Sequence, residues 1–295
     1  MVNLKINNIP VSVEEGSTVL EAARKAGIKI PTLCYMREIN AIGACRICVV
    51  EVKGARSLVA SCVYPVSEGM EVFTNTPKVI KSRKTTLELI LSDHNRSCLS
   101  CVRSGNCELQ KLSTEYDCDF THYLGAMNAN TIDDSTSYLV RDNSKCILCR
   151  RCVAACEKRQ EVAVIGPNAR GFDTHIACAF EKPLANVPCV ACGQCIVACP
   201  TGALRERDEI DDVMKAIADP SKHVVVAPAP AVRAALGEEF GMPIGTNVEG
   251  KMVTAMRMLG FDKVFDIDFA ADLTIMEEGT EFIPVSYTHL TLPTT

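Results

Sequence analysis

Fifteen of the 17 cysteines in this 295-residue chain fall, with one histidine, into four short runs. They are Cys34, Cys45, Cys48 and Cys62; His94, Cys98, Cys101 and Cys107; Cys146, Cys149, Cys152 and Cys156; and Cys189, Cys192, Cys195 and Cys199. Thiolate and imidazole are soft donors, and four per run is the complement of one iron–sulfur centre. Four centres in one chain make an electron wire.

The last two runs each read C-x2-C-x2-C-x3-C, and the second carries Pro200 after its final cysteine. A 4Fe-4S cube needs thiolates converging from different directions. One short loop can wrap three of them, while the fourth lies on the helix leading away. In two-cluster ferredoxins that fourth cysteine binds the other cube. The expected sets are therefore Cys146, Cys149, Cys152 with Cys199, and Cys189, Cys192, Cys195 with Cys156. Zinc is the competing metal, but its sites pair two cysteines with two distant ligands, not three evenly spaced ones.

The first run, C-x10-C-x2-C-x13-C, is a variant of the plant-type 2Fe-2S spacing. Gly43 and Ala44 keep that loop small where backbone must approach sulfur. In the second run, H-x3-C-x2-C-x5-C, His94 taken alone could be a helix-end histidine favoured by the dipole. The three cysteines that follow make it a ligand of a third 4Fe-4S cluster. A neutral imidazole in place of a thiolate leaves that site less anionic. Cys118 and Cys178 match no run and are expected as small buried hydrophobes. No G-x-G-x-x-G, P-loop or H-E-x-x-H motif occurs, so no nicotinamide or flavin site is visible.

Several elements must position these ligands. Residues 4–13 alternate apolar and polar around Asn7-Asn8, predicting a β-hairpin. Thr18 and Glu21 predict a capping box, with Gly27 ending the helix. VVEV at 49–52 reads as a strand, and a β-grasp domain over 1–78 follows. Pro77 opens a helix predicted to deliver His94 and Cys98, within a small helical domain at 79–124. Residues 125–138 are polar and turn-rich, a linker. A two-cluster ferredoxin-like domain spans 139–208. Beyond it, 222–241 and 263–279 each read strand then helix, the start of an α/β domain at 209–284. The fold class is α+β and multidomain.

Bulk properties exclude other classes. A net charge of −5 without long one-sign blocks, 5 % aromatic residues and no Trp argue against nucleic acid. No apolar run reaches the roughly 20 residues of a membrane helix, and no signal peptide is visible. Disulfide scaffolds are short and exported, so a cytoplasmic setting with reduced, metal-binding cysteines is expected.

The order of a 2Fe-2S centre, a one-histidine three-cysteine site and paired cubes resembles three relatives. These are the large iron–sulfur subunit of respiratory complex I, some formate dehydrogenases, and multi-cluster FeFe-hydrogenases. FDTHIACAFEKPL (172–184), APAPAVRAALGEEFG (227–241) and GKMVTAMRMLGFDKVFDIDFAADLTIMEEGTEF (250–282) resemble the FeFe-hydrogenase large subunit. The resemblance implies reversible 2H+ + 2e− to H2, with electrons from ferredoxin and/or a flavin-containing subunit oxidising NAD(P)H. It also implies a catalytic H-cluster, but the family's T-S-C-x-P-G-W and P-C-x-x-K-K motifs do not occur here. No catalytic residue is therefore assigned, and the 295-residue chain is expected to be inactive in hydrogen turnover. Electrons are expected to enter at the 2Fe-2S or His94 site. The alternative is a pure electron-transfer subunit of diaphorase, complex I or formate dehydrogenase type. Proton reduction near about −0.41 V, from 59 mV per pH unit, matches plant-type 2Fe-2S centres near about −400 mV. The same level would serve NADH oxidation.

VSYTHLTLPTT at 285–295 resembles a translated sequencing adapter, so native sequence is expected to stop near Ile283. Re-sequencing the source DNA past the Ile283 codon should show the frame continuing into further cysteine motifs. A genomic stop after Thr295 would contradict this.

Overall fold

The computed structural model describes residues 1–128 and 131–289, with backbone only for 286–289. The chain divides once, into Met1–Arg207 and Asp208–Thr295.

The first unit opens with β1 (Val2–Ile6) and β2 (Ile9–Val13), an antiparallel hairpin. Asn7 and Asn8 both take positive φ, 49° and 68°, as the tight turn matching strand twist requires. Helix α1 (Val19–Lys25) starts on the Thr18–Glu21 capping box and stops before Gly27, at φ 73°. β3 (Val49–Val52), β4 (Val59–Ala60) and β5 (Glu71–Phe73) complete a mixed sheet ordered β2-β1-β5-β3-β4. β5 pairs parallel with β1 and antiparallel with β3. Leu4, Ile6, Val19, Leu20, Ala23, Val50 and Val72 form the core between this sheet and α1.

α2 (Pro77–Ser92) is capped by Thr76 and has Pro77 in its first turn, where a missing N–H costs nothing. It ends at Ser92 and not at His94, which follows the capping Asp93. α3 (Glu108–Glu115) begins at Cys107. Leu87 and Leu91 of α2 meet Leu109 and Leu112 of α3 in a second core that also holds Leu33, Ile47, Cys34, Cys45 and Cys149. Arg83 of α2 is 1 % exposed. Its guanidinium donates to the Val49 carbonyl at 2.7 Å and the Tyr116 hydroxyl at 3.0 Å, joining β3 to the end of α3.

The polar stretch 125–138 does more than connect. It supplies β6 (Ile132–Asp133), which pairs with β7 (Leu139–Asp142). Thr136 is buried because its hydroxyl both donates to the Leu139 carbonyl and accepts from the Leu139 N–H. Composition alone hides this, since the polar groups are spent on partners inside the fold. α4 (Arg151–Ala154) continues into a π-helical turn, Ala155–Arg159. The ribbon of β8 (Gly166–Asn168) and β9 (His175–Ala177) follows. α5 (Gln194–Ala198) leads into β10 (Leu204–Glu206), which closes the sheet β10-β7-β6.

In the second unit, β11 (Val225–Val226) pairs parallel with β12 (Lys263–Val264). Around them lie α6 (Ile210–Ala218), α7 (Pro230–Glu239), α8 (Glu249–Leu259) and α9 (Ile267–His289). Strand then helix occurs twice, as the sequence suggests, but α9 runs on to His289, into the adapter-like tail. Residues 290–295 lie outside the described residues. Phe240, Ile244, Met258 and Ile275 are exposed.

A charged donor's hydrogen bond contributes about 1.5–3 kcal/mol. Arg83→Ala should therefore cost roughly 3 kcal/mol in urea unfolding at fixed iron content; a change below about 0.5 kcal/mol would contradict the bridging role.

Candidate metal centres

The four sets of predicted donors each come together in the first unit. At the first site Cys34, Cys45, Cys48 and Cys62 are all buried. Cys45 and Cys48 lie in the turn before β3, and Cys62 follows β4. Gly43 and Arg46 bend this loop at φ 63° and 57°. A Cβ on Gly43 would stand 3.1 Å from a Val63 methyl, so the loop is closely packed. The Cys48 and Cys62 sulfurs are 3.4 Å apart. Thiol hydrogen bonds from Cys45 and Cys62 hold Cys34 low, and one from Cys62 holds Cys48 low. Cys45 and Cys62 are pushed up in return. A set that shares protons this way is ready to exchange them for a cation.

At the second site, His94, Cys98, Cys101 and Cys107 line a cavity of about 310 Å³. Burial, followed by the charge of Lys145, lowers His94 to about 4. The imidazole is thus neutral near pH 7, the form that ligates metal. Its Nδ1 is buried without a hydrogen-bond partner, an orphan that a metal would satisfy. A Cβ on Gly202 would lie 2.6 Å from the Cys101 sulfur, which only glycine permits.

The paired runs interleave. Cys146, Cys149, Cys152 and Cys199 line one narrow cavity of about 20 Å³. Cys156, Cys189, Cys192 and Cys195 line another of about 300 Å³. The two loops share one backbone device. Leu148 and Arg150 have φ 52° and 59°, and Ala191 and Gly193 have 52° and 70°, at matching positions. These left-handed residues turn successive sulfurs inward and aim N–H groups at them, as Leu148 N–H does toward the Cys146 sulfur at 3.4 Å. Such conformations cost about 1–2 kcal/mol per non-glycine residue, so something must repay them. Burial pushes Cys146 up to about 11, Cys149 to about 12 and Cys195 to about 11, and holds Cys152 well above the ordinary thiol range. Buried thiols without a counter-charge stay protonated unless a metal displaces the proton. Among the described residues no three such side chains close around a single-ion point; the donors ring cavities, which suits a polynuclear group.

The sites are stitched together. The Asn40 amide donates to the Cys34 carbonyl at 2.6 Å and to the Cys149 carbonyl at 3.1 Å, joining the first and third sites. The Pro200 carbonyl, next to Cys199, accepts from Glu108 N–H at 3.1 Å and lies 3.6 Å from the Cys107 sulfur. That joins the second and third. Arg151 bonds Glu108 at 2.8 Å. Sequence reasoning missed Asn40, Arg141 and Gly202, because each acts across long separations without a local motif. Cys178 is fully buried, while Cys118 is half-buried beside the second core.

These features define an iron–sulfur electron-transfer protein. Residues 1–77 match the 2Fe-2S iron-sulfur cluster binding domain, 83–122 the NADH-ubiquinone oxidoreductase-G iron-sulfur binding region, and 222–294 the iron only hydrogenase large subunit, C-terminal domain. The NADP-reducing hydrogenase subunit HndD of Solidesulfovibrio fructosivorans is 48% identical over 295 residues, covering 98% of this chain and 50% of that protein. Iron hydrogenase 1 of Clostridium pasteurianum is 40% identical over 285 residues, covering 96% and 50%. A chain in the crystal structure of an NAD+-reducing [NiFe]-hydrogenase in the H2-reduced state superposes with TM-score 0.66 and 30% identity, over 70% of this chain and 87% of that one. The chain belongs to the iron–sulfur subunit family of hydrogenases. It spans about half the length of the curated relatives it matches, 50% of each of these two. No helix among the described residues is long and apolar enough to cross a membrane.

Gly202→Ala should remove about four iron atoms per chain, one cube, and spare the rest. Full iron content with an unchanged spectrum would contradict the close approach.

Proposed function

We propose that this chain is the electron-relay portion of a cytoplasmic FeFe-hydrogenase, built as a β-grasp domain, a histidine-ligated helical domain and a two-cluster ferredoxin-like domain. When bound, one 2Fe-2S and three 4Fe-4S clusters carry single electrons between ferredoxin and/or a flavin-containing NAD(P)H-oxidising subunit and an H-cluster borne by a catalytic domain, where protons and hydrogen interconvert. Cys34, Cys45, Cys48 and Cys62 hold the first cluster, and His94, Cys98, Cys101 and Cys107 the second. Cys146, Cys149, Cys152 and Cys199 hold the third; Cys156, Cys189, Cys192 and Cys195 hold the fourth.

The observation that carries this reading is the stitching of separate donor sets into one unit. Asn40 lays the first set against the third, and Pro200 with Gly202 lays the second against the third. The third and fourth sets exchange their last cysteines through α4 and α5. The ligands thus support a branched layout, two entrances meeting at the third site, and not a single file. Apolar neighbours such as Leu33, Ile47 and Leu109 keep water from the donors, which limits side reactions. A pure electron-transfer subunit has the [NiFe]-hydrogenase likeness behind it. The match of 222–294 to the iron-only C-terminal domain favours the first reading.

Loaded anaerobically with iron and sulfide, the 295-residue chain should pass electrons from dithionite to cytochrome c without evolving hydrogen. The chain extended by a matured hydrogenase catalytic domain should evolve hydrogen. Hydrogen from the 295-residue chain, or none from the longer one, would contradict the proposal.

A further inference from the structure

Arg141 on β7 lines the cavity of Cys146, Cys149, Cys152 and Cys199 and also that of Cys156, Cys189, Cys192 and Cys195. Among the described residues no other charged side chain lines both. It is 6 % exposed. One terminal nitrogen donates to the Asp133 carboxylate at 3.0 Å, and the other lies 3.8 Å from the Cys178 sulfur. Its Nε–H is buried and has no acceptor. Asp133 lines neither cavity. Its oxygens are engaged by the Leu184 N–H and by Ser135. The pair therefore places a buried cation at the border of both cavities, while its counter-charge, Asp133, lines neither.

We propose that Arg141 is a positioning residue that sets the reduction potentials of both cubes, a fixed cation with an unspent buried Nε–H bordering the cavities they would occupy. The proposal rests on the cluster reading above. A reduced cluster is one charge more negative than an oxidised one. A buried cation close by stabilises the reduced form, and hydrogen bonds to sulfur act in the same direction. Because the guanidinium borders both sites, it raises both potentials together. That keeps transfer between the cubes close to balanced. A purely structural pin between β6 and β7 would need only the Asp133 contact and would not require the residue to border both cysteine-lined cavities.

The test uses the full chain, anaerobically reconstituted, with iron content and EPR-monitored redox titration. Arg141→Met should lower both cube potentials by at least tenfold in the reduction equilibrium, about 59 mV for one electron. Arg141→Lys should lose less than half of that. Asp133→Asn, which keeps an acceptor oxygen but removes the counter-charge, should shift both potentials upward. The signals of the 2Fe-2S and His94 sites should not move. Arg141→Met with full iron and unmoved cube potentials would overturn the proposal. If Arg141→Met loses iron, the opposite signs of the lysine and asparagine variants decide; shifts in the same direction mark a structural role and overturn it. Absence of cube signals in the unsubstituted chain would overturn the cluster reading, and the role of Arg141 with it.

Discussion

Burial of thiols, which holds them neutral unless a cation displaces the proton, is the constraint on which the first unit rests. Cys34, Cys45 and Cys149 help build one core and Cys152, Cys178 and Cys199 another. The predicted donors among them, all but Cys178, are therefore also packing. As neutral thiols they are small hydrophobes; as thiolates they need a cation beside them. On the proposed reading, metal loading and folding would be coupled for much of this unit, and the free energy of one would be drawn from the other. The left-handed residues Leu148, Arg150 and Ala191 make the same point, since local preference alone would not hold them there.

The connections between sites turn four ligand sets into a relay. One buried amide, Asn40, and one carbonyl, that of Pro200, bring the first two sites to the third. Exchange of Cys156 and Cys199 between the paired loops brings the third to the fourth. Each is a short-range contact made by residues far apart in the chain. A shift in the loops would disturb spacing at two sites together.

The grouping of the donors could be read from the sequence because metal-ligand motifs are local in their spacing. Four thiolates on a short loop and its helix leave a pattern that survives without tertiary information. The Asn7-Asn8 turn and the Thr18 cap were legible for the same reason, since their partners lie within a few residues. Arg83, Asn40 and Arg141 were not, because their partners lie across the fold. The stretch 125–138 was read as a linker from its polarity, yet Asp133 and Thr136 spend their polar groups on Arg141, Leu184 and Leu139. Polarity signals exposure only when partners are absent, and a sequence does not show partners.

The central claim is that these donors hold one two-iron and three four-iron clusters. Mössbauer spectroscopy of the chain reconstituted with 57Fe tests it most directly, because it apportions iron by cluster type. The account predicts about one-seventh of the iron in a 2Fe-2S pattern and the rest in 4Fe-4S patterns, from cluster stoichiometry. A spectrum with no 2Fe-2S component, or zinc in place of iron at the paired sites, would contradict it.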